Sequence, residues 1–157
     1  MREAVVGLIG CGFIGRFHSR NLNAIARSEL LPVTYHAVAD RVDERAESFA
    51  ALTHSPVVTG DAGEVLADPR LNTVYICTET YEHPALVFAA AERGLNIFCE
   101  KPLARRLDEV EQMVDAVERA GVVNQVGLIL RTSPVYTVLK DLMANPELGP
   151  FLTAHLR

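Results

Sequence analysis

The chain has 157 residues, room for one ordinary domain and not for two full ones. Apolar residues make up 49% of it and charged ones 22%, a globular composition that excludes disorder as its working state. The formal net charge is −5, Lys and Arg form no runs and Trp is absent, which argues against nucleic acid or an anionic membrane surface as the partner.

Arg2 ahead of an apolar run has the outline of a signal peptide, but no clean cleavage site follows. No apolar stretch reaches the ~20 residues that span a bilayer. The cysteines Cys11, Cys77 and Cys99 cannot all pair and lie in apolar stretches, so they read as buried free thiols of a reducing compartment. A cytoplasmic protein is expected, with no metal ligand set.

In chain order, Ala4–Ile9 is a continuous apolar run of strand length, the kind buried on both faces of a parallel sheet. Ile14, Phe17, Leu22 and Ile25 then recur at helical spacing. A second strand, Val33–Ala39, ends at Asp40, and Ala46, Phe49 and Ala50 mark a helix opened by Asp43. Val57-Val58 is a brief third strand, and Asp61-Ala-Gly-Glu64 has the form of a capping box. Thr73–Cys77 reads as strand, Ala85–Arg93 as a helix stopped by Gly94, and Asn96–Cys99 as the fifth strand. Leu107, Val110, Val114 and Val117 define a helix closed by Gly121. Val122–Leu130 is expected as a sixth strand, Val135, Val138, Leu139 and Leu142 as a last helix, and Leu148–Leu156 as a turn with a new strand. Strands alternating with helices specify an α/β fold around a parallel sheet.

Gly10-Cys-Gly12-Phe13-Ile14-Gly15 follows the first strand and opens the first helix. Gly10 permits a tight turn, Gly12 clears space for an approaching pyrophosphate, and Gly15 lets helix and strand pack closely. Free amides and the positive helix end then face the phosphates. Asp40 ends the second strand, where a carboxylate accepts hydrogen bonds from the adenosine ribose of NAD; the competing reading is a loop Asp that caps the next helix. That carboxylate opposes a 2′-phosphate, with Arg41 and Arg45 as offsetting charges, so NAD is favoured and NADP stays open. Thr78 begins the segment after the fourth strand, Thr80 is expected to cap the next helix, and His83 sits in its first turn. His83 either meets the cofactor's ribose or phosphates or fills a polar helix start. Glu100-Lys101-Pro102 follows the fifth strand at the same sheet edge. A lysine in a cleft polarises a substrate oxygen; alone, the tripeptide is a charged turn.

Together these pieces resemble the nucleotide-binding half of the Gfo/Idh/MocA oxidoreductases. The likeness rests on Gly7–Gly15, Val38–Arg41, Glu64–Pro69, Gly127–Arg131 and above all Cys99-Glu-Lys-Pro-Leu-Ala104. It implies a doubly wound parallel sheet, the Rossmann fold, over residues 1–145, with 146–157 as the first strand of a second, substrate-binding domain. It also implies NAD-dependent hydride transfer on a secondary alcohol or ketone of a sugar, inositol or related polyol, and association into homo-oligomers. Lys101 would be the catalytic lysine on the reacting oxygen, Pro102 would shape the cofactor pocket through a cis Lys101–Pro102 bond, and Glu100 would support the pocket from behind. Two departures stand out: Thr78-Glu79-Thr80 replaces Thr-Pro-Asn, and the chain is short for the family. Within that implication the isolated chain binds cofactor and turns over poorly. The competing readings are a stand-alone dinucleotide sensor without catalysis and, more remotely, an S-adenosylmethionine-dependent methyltransferase.

Overall fold

The computed structural model describes residues 3–28 and 31–150. Two compact units divide the chain, Met1–Gly127 and Leu128–Arg157. In the first unit the elements are β1 (Ala4–Ile9), α1 (Phe13–Arg27), β2 (Val33–Ala39), α2 (Asp43–Thr53), β3 (Val57–Thr59), α3 (Ala62–Ala67), β4 (Thr73–Ile76), α4 (His83–Glu92), β5 (Asn96–Cys99), α5 (Leu107–Ala120) and β6 (Asn124–Val126). All five ladders are parallel, in the order β3-β2-β1-β4-β5-β6. The order reverses between β1 and β4, which opens a crevice at the carboxyl ends of those strands.

The apolar strands serve two cores because alternate side chains point to opposite faces. Val6 and Leu8 of β1 pack with Phe49 and Ala50 of α2, and Tyr35 and Val38 of β2 join them on one face because the β1–β2 register skips His36. Ile9, Ala37 and Ala39 join Val74, Ile76 and Ile97 on the other face, against Leu66, Val87, Ala90 and Met113 of α3, α4 and α5.

Three local expectations are corrected, while α2 opens at Asp43 as expected, with Val42 at its cap position. The run 122–130 is strand only at Asn124–Val126, because β5 ends at Cys99 and a strand extends only as far as its neighbour offers ladder bonds; Gly127 N–H makes the last one, to Cys99 O at 2.9 Å. In the capping segment, Asp61 accepts from Gly63 N–H, but Glu64 turns to the Thr59 hydroxyl, and that same hydroxyl accepts the Asp61 N–H. No side chain caps α4: Glu82 precedes it and Thr80 contributes only its carbonyl, to His83 N–H.

The second unit carries a short 3-10 turn (Ile129–Thr132), α6 (Pro134–Ala144) and a second 3-10 turn (Pro146–Leu148). The strand expected towards Leu156 falls on 151–157, outside the described residues.

Candidate functional site

Backbone packing dictates the glycine turn. Gly10 has φ +98°, and a Cβ there would come within 2.5 Å of the Cys77 carbonyl. A Cβ on Gly15 would lie 2.2 Å from Gly10 O, so α1 sits directly on the turn that precedes it. Gly12 is different: nothing lies within 4 Å of where its Cβ would be. It lines a cavity of about 990 Å³ at the sheet's switch point, together with Gly10, Phe13, Ile14, Asp40, Arg41 and Thr78.

Helix α1 starts from Gly12 with no side-chain cap and no acid in its first turn. Its opening amides have no acceptor within the helix, and the positive end of its dipole is at the cavity. Asp40 reaches both neighbouring segments, accepting from Cys11 N–H at 2.8 Å through Oδ2 and from Val42 N–H at 2.9 Å through Oδ1. Neither bond is a side-chain cap of α2, whose cap position is Val42, and a carboxylate has about four lone-pair sites, of which these two bonds take two. The Cys11 amide, in contrast, is engaged by protein. Thr78 Oγ1 is buried without a hydrogen-bond partner.

Arg41 does not stand free as an offsetting charge. Its guanidinium donates to Glu79 Oε2 at 3.0 Å and to the Tyr81 hydroxyl at 2.9 Å, and Glu82 Oε1 lies 3.3 Å away. These partners tie the tip of β2 to the segment ahead of α4.

A second cluster forms beyond β5. Glu100 is 4% exposed; His18 Nε2 lies 2.7 Å from its Oε1, and its Oε2 accepts Lys101 N–H at 3.0 Å. A Cβ on Gly127 would come within 2.8 Å of that carboxylate, so the glycine makes room for it. The His18 ring meets Phe98 edge-on at 4.6 Å. Lys101 and Pro102 are exposed and joined by a cis peptide bond, and no ion pair to Lys101 occurs among the described residues.

His83 is 1% exposed, with Nδ1 3.0 Å from Pro102 O and Nε2 3.1 Å from Thr78 O. A neutral imidazole has one N–H and donates to one carbonyl at a time. Both ring nitrogens face backbone, so the ring joins the two loops of the site and presents no nitrogen to the cavity. The cavity lining also leaves out Gly15, Glu100, Lys101 and Pro102. His18 escaped the sequence reading, although its signal was there: Gly15, His18, Ser19 and Leu22 recur on the inward stripe of α1. Burial pushes the Cys11 thiol up to about 12, with the Asp40 charge adding to the effect.

A glycine turn, an acid at the neighbouring strand tip and a cavity between them at the switch point define a dinucleotide-binding domain of the doubly wound class. The residues fit such a ligand: the space over Gly12 is open and Thr78 Oγ1 lacks a partner. The chain belongs to the Gfo/Idh/MocA oxidoreductase family, whose NAD-binding Rossmann-fold model matches residues 4–128. It is 34% identical to the uncharacterized oxidoreductase YrbE of Bacillus subtilis over 99% of this chain and 43% of that protein. It is 30% identical to the myo-inositol 2-dehydrogenase of Thermotoga maritima over 92% and 42%. Among solved structures, levoglucosan dehydrogenase in complex with NADH and levoglucosan matches with a TM-score of 0.82 and 32% identity, over 90% of this chain and 39% of the other. The chain thus spans about two fifths of the length of these relatives.

Proposed function

We propose that this chain forms the NAD-binding part of an oxidoreductase acting on a secondary alcohol or ketone of a sugar, inositol or related polyol. The observation that carries the reading is the 990 Å³ cavity lined by the glycine turn, by Asp40 and by Thr78, whose buried hydroxyl has no hydrogen-bond partner. The named relatives, an inositol dehydrogenase and a levoglucosan dehydrogenase, support the substrate class.

When bound, the nicotinamide supplies or accepts the hydride. The opening amides of α1 hold the diphosphate, Asp40 accepts from the adenosine ribose, and Thr78 donates its hydroxyl hydrogen into the cavity. Lys101 is the catalytic residue, donating through Nζ to the substrate's reacting oxygen and so stabilising the charge that develops there. Glu100 and His83 are positioning residues: one binds the Lys101 amide and the other the Pro102 carbonyl. Lys101 stands exposed, so the isolated chain binds cofactor and turns over slowly, because exposed reactants lack the orientation that lowers the barrier. Isothermal titration with NADH tests the reading. Binding with one site per chain is expected, and no heat of binding at millimolar cofactor would remove it.

A further inference from the structure

Arg41 follows the ribose-side acid directly, the place from which a guanidinium reads a 2′-phosphate. In this chain it is held on two carboxylates and a phenol, and all four side chains line the cavity. Tyr81, which accepts from Arg41, is itself fixed by Arg105, whose guanidinium lies 5.0 Å over its ring. The lining carries Asp40, Asp61, Glu79 and Glu82 against Arg41 and Arg45, an excess of two negative charges. Glu79 stands where the family resemblance has proline, so this bridge comes from the chain's own departure from the pattern.

We propose that the Glu79–Arg41–Glu82 bridge is a specificity device, by which the cavity accepts a dinucleotide with a free adenosine 2′-hydroxyl and rejects one carrying a 2′-phosphate. The proposal rests on the dinucleotide reading above and adds to it which side chains discriminate and how. With Arg41 engaged, an incoming phosphate meets the Asp40 carboxylate and a rim of like sign. Arg45, in the first turn of α2, is the other guanidinium of the lining and makes no ion pair among the described residues. It shares that lining with four carboxylates, two of which are engaged with Arg41.

The test compares dissociation constants for NADH and NADPH in the full chain, in Glu79→Gln/Glu82→Gln and in Arg41→Ala/Glu79→Gln/Glu82→Gln. Both glutamines are close in size to the residues they replace, and circular dichroism verifies each fold. The unmodified chain is expected to prefer NADH, and the double variant to narrow that preference by about tenfold, mainly through tighter NADPH binding. Adding Arg41→Ala then weakens NADPH again, because the freed guanidinium is what recovers the affinity. NADH binding with an unchanged preference in the double variant overturns the bridge and leaves the dinucleotide reading standing. Failure of both cofactors to bind the unmodified chain removes the two together.

Discussion

Glu100 and His18 lie 82 positions apart in the chain, and their side chains meet at 2.7 Å in a pair almost closed to solvent. The contact joins the end of β5 to the helix that rises from the glycine turn, so the lysine loop and the phosphate-facing helix share one buried link. His18→Ala strips the carboxylate of its side-chain partner while leaving it buried. A loss of about 3 kcal/mol is expected, read as a lower urea midpoint at unchanged slope. A midpoint that stays put would mean that solvent reaches Glu100.

The three glycines of the turn separate by what an added methyl group meets. Gly15→Ala forces a Cβ onto Gly10 O and is expected to cost several kcal/mol or prevent folding, since backbone rather than a movable side chain blocks it. Gly12→Ala meets no protein atom and is expected to hold stability to within about 1 kcal/mol. Its methyl group enters the cavity, so NADH affinity falls by at least about tenfold in titration. Parallel losses of stability in both variants would contradict the open site.

What was legible in the chain was what neighbouring residues decide. The strand–turn–helix opening, Asp40 at a strand tip and the order of elements follow from spacing over a few residues, as does helix α5 closing at a left-handed Gly121. Three things were not legible. The extent of β6 depends on where β5 stops, so a segment expected as strand from Val122 to Leu130 pairs over only three residues. Arg41 read as a free charge because Glu79 and Glu82, some 40 positions away, were not known to lie beside it. His83 was seen to sit at a helix start, but the Pro102 carbonyl that occupies it comes from another loop.

The cysteines give a chemical reading of core closure. Burial raises all three thiols, Cys11 and Cys99 to about 12, and Glu100 adds to the effect at Cys77 and Cys99. At pH 8 none presents a thiolate, so no labelling by iodoacetamide is expected over an hour in native buffer. Full labelling of all three is expected in strong denaturant. Prompt native labelling of Cys11 would mean that the glycine turn opens.

Acid stability should report Asp68. Arg70 binds its carboxylate through two side-chain bonds, at 3.0 and 2.8 Å, and a backbone amide, which holds its pKa down at about 2 against desolvation. A depressed carboxylate stabilises the fold in full above its unfolded pKa and loses that contribution as pH falls through the folded value. The gap in melting temperature between the unmodified chain and Asp68→Asn is therefore expected to be constant above about pH 5 and to shrink towards pH 2. A gap that widens on acidification would reverse the assignment.

His83 separates a ligand contact from a structural brace. Its ring fills a closed space and faces the carbonyls of Thr78 and Pro102, so removing it opens a void and takes away the donor that one of these part-buried acceptors has at a time. His83→Ala is expected to cost about 3 kcal/mol in urea unfolding, with NADH affinity reduced only as far as the loop after β4 loosens. His83→Gln keeps a donor within reach and should recover part of that stability. A ring that instead touched cofactor would give the opposite pattern, with melting temperature nearly unchanged and affinity sharply lower in both variants. The two readings thus differ in which measurement moves first, and a thermal melt beside a titration on the same two variants separates them.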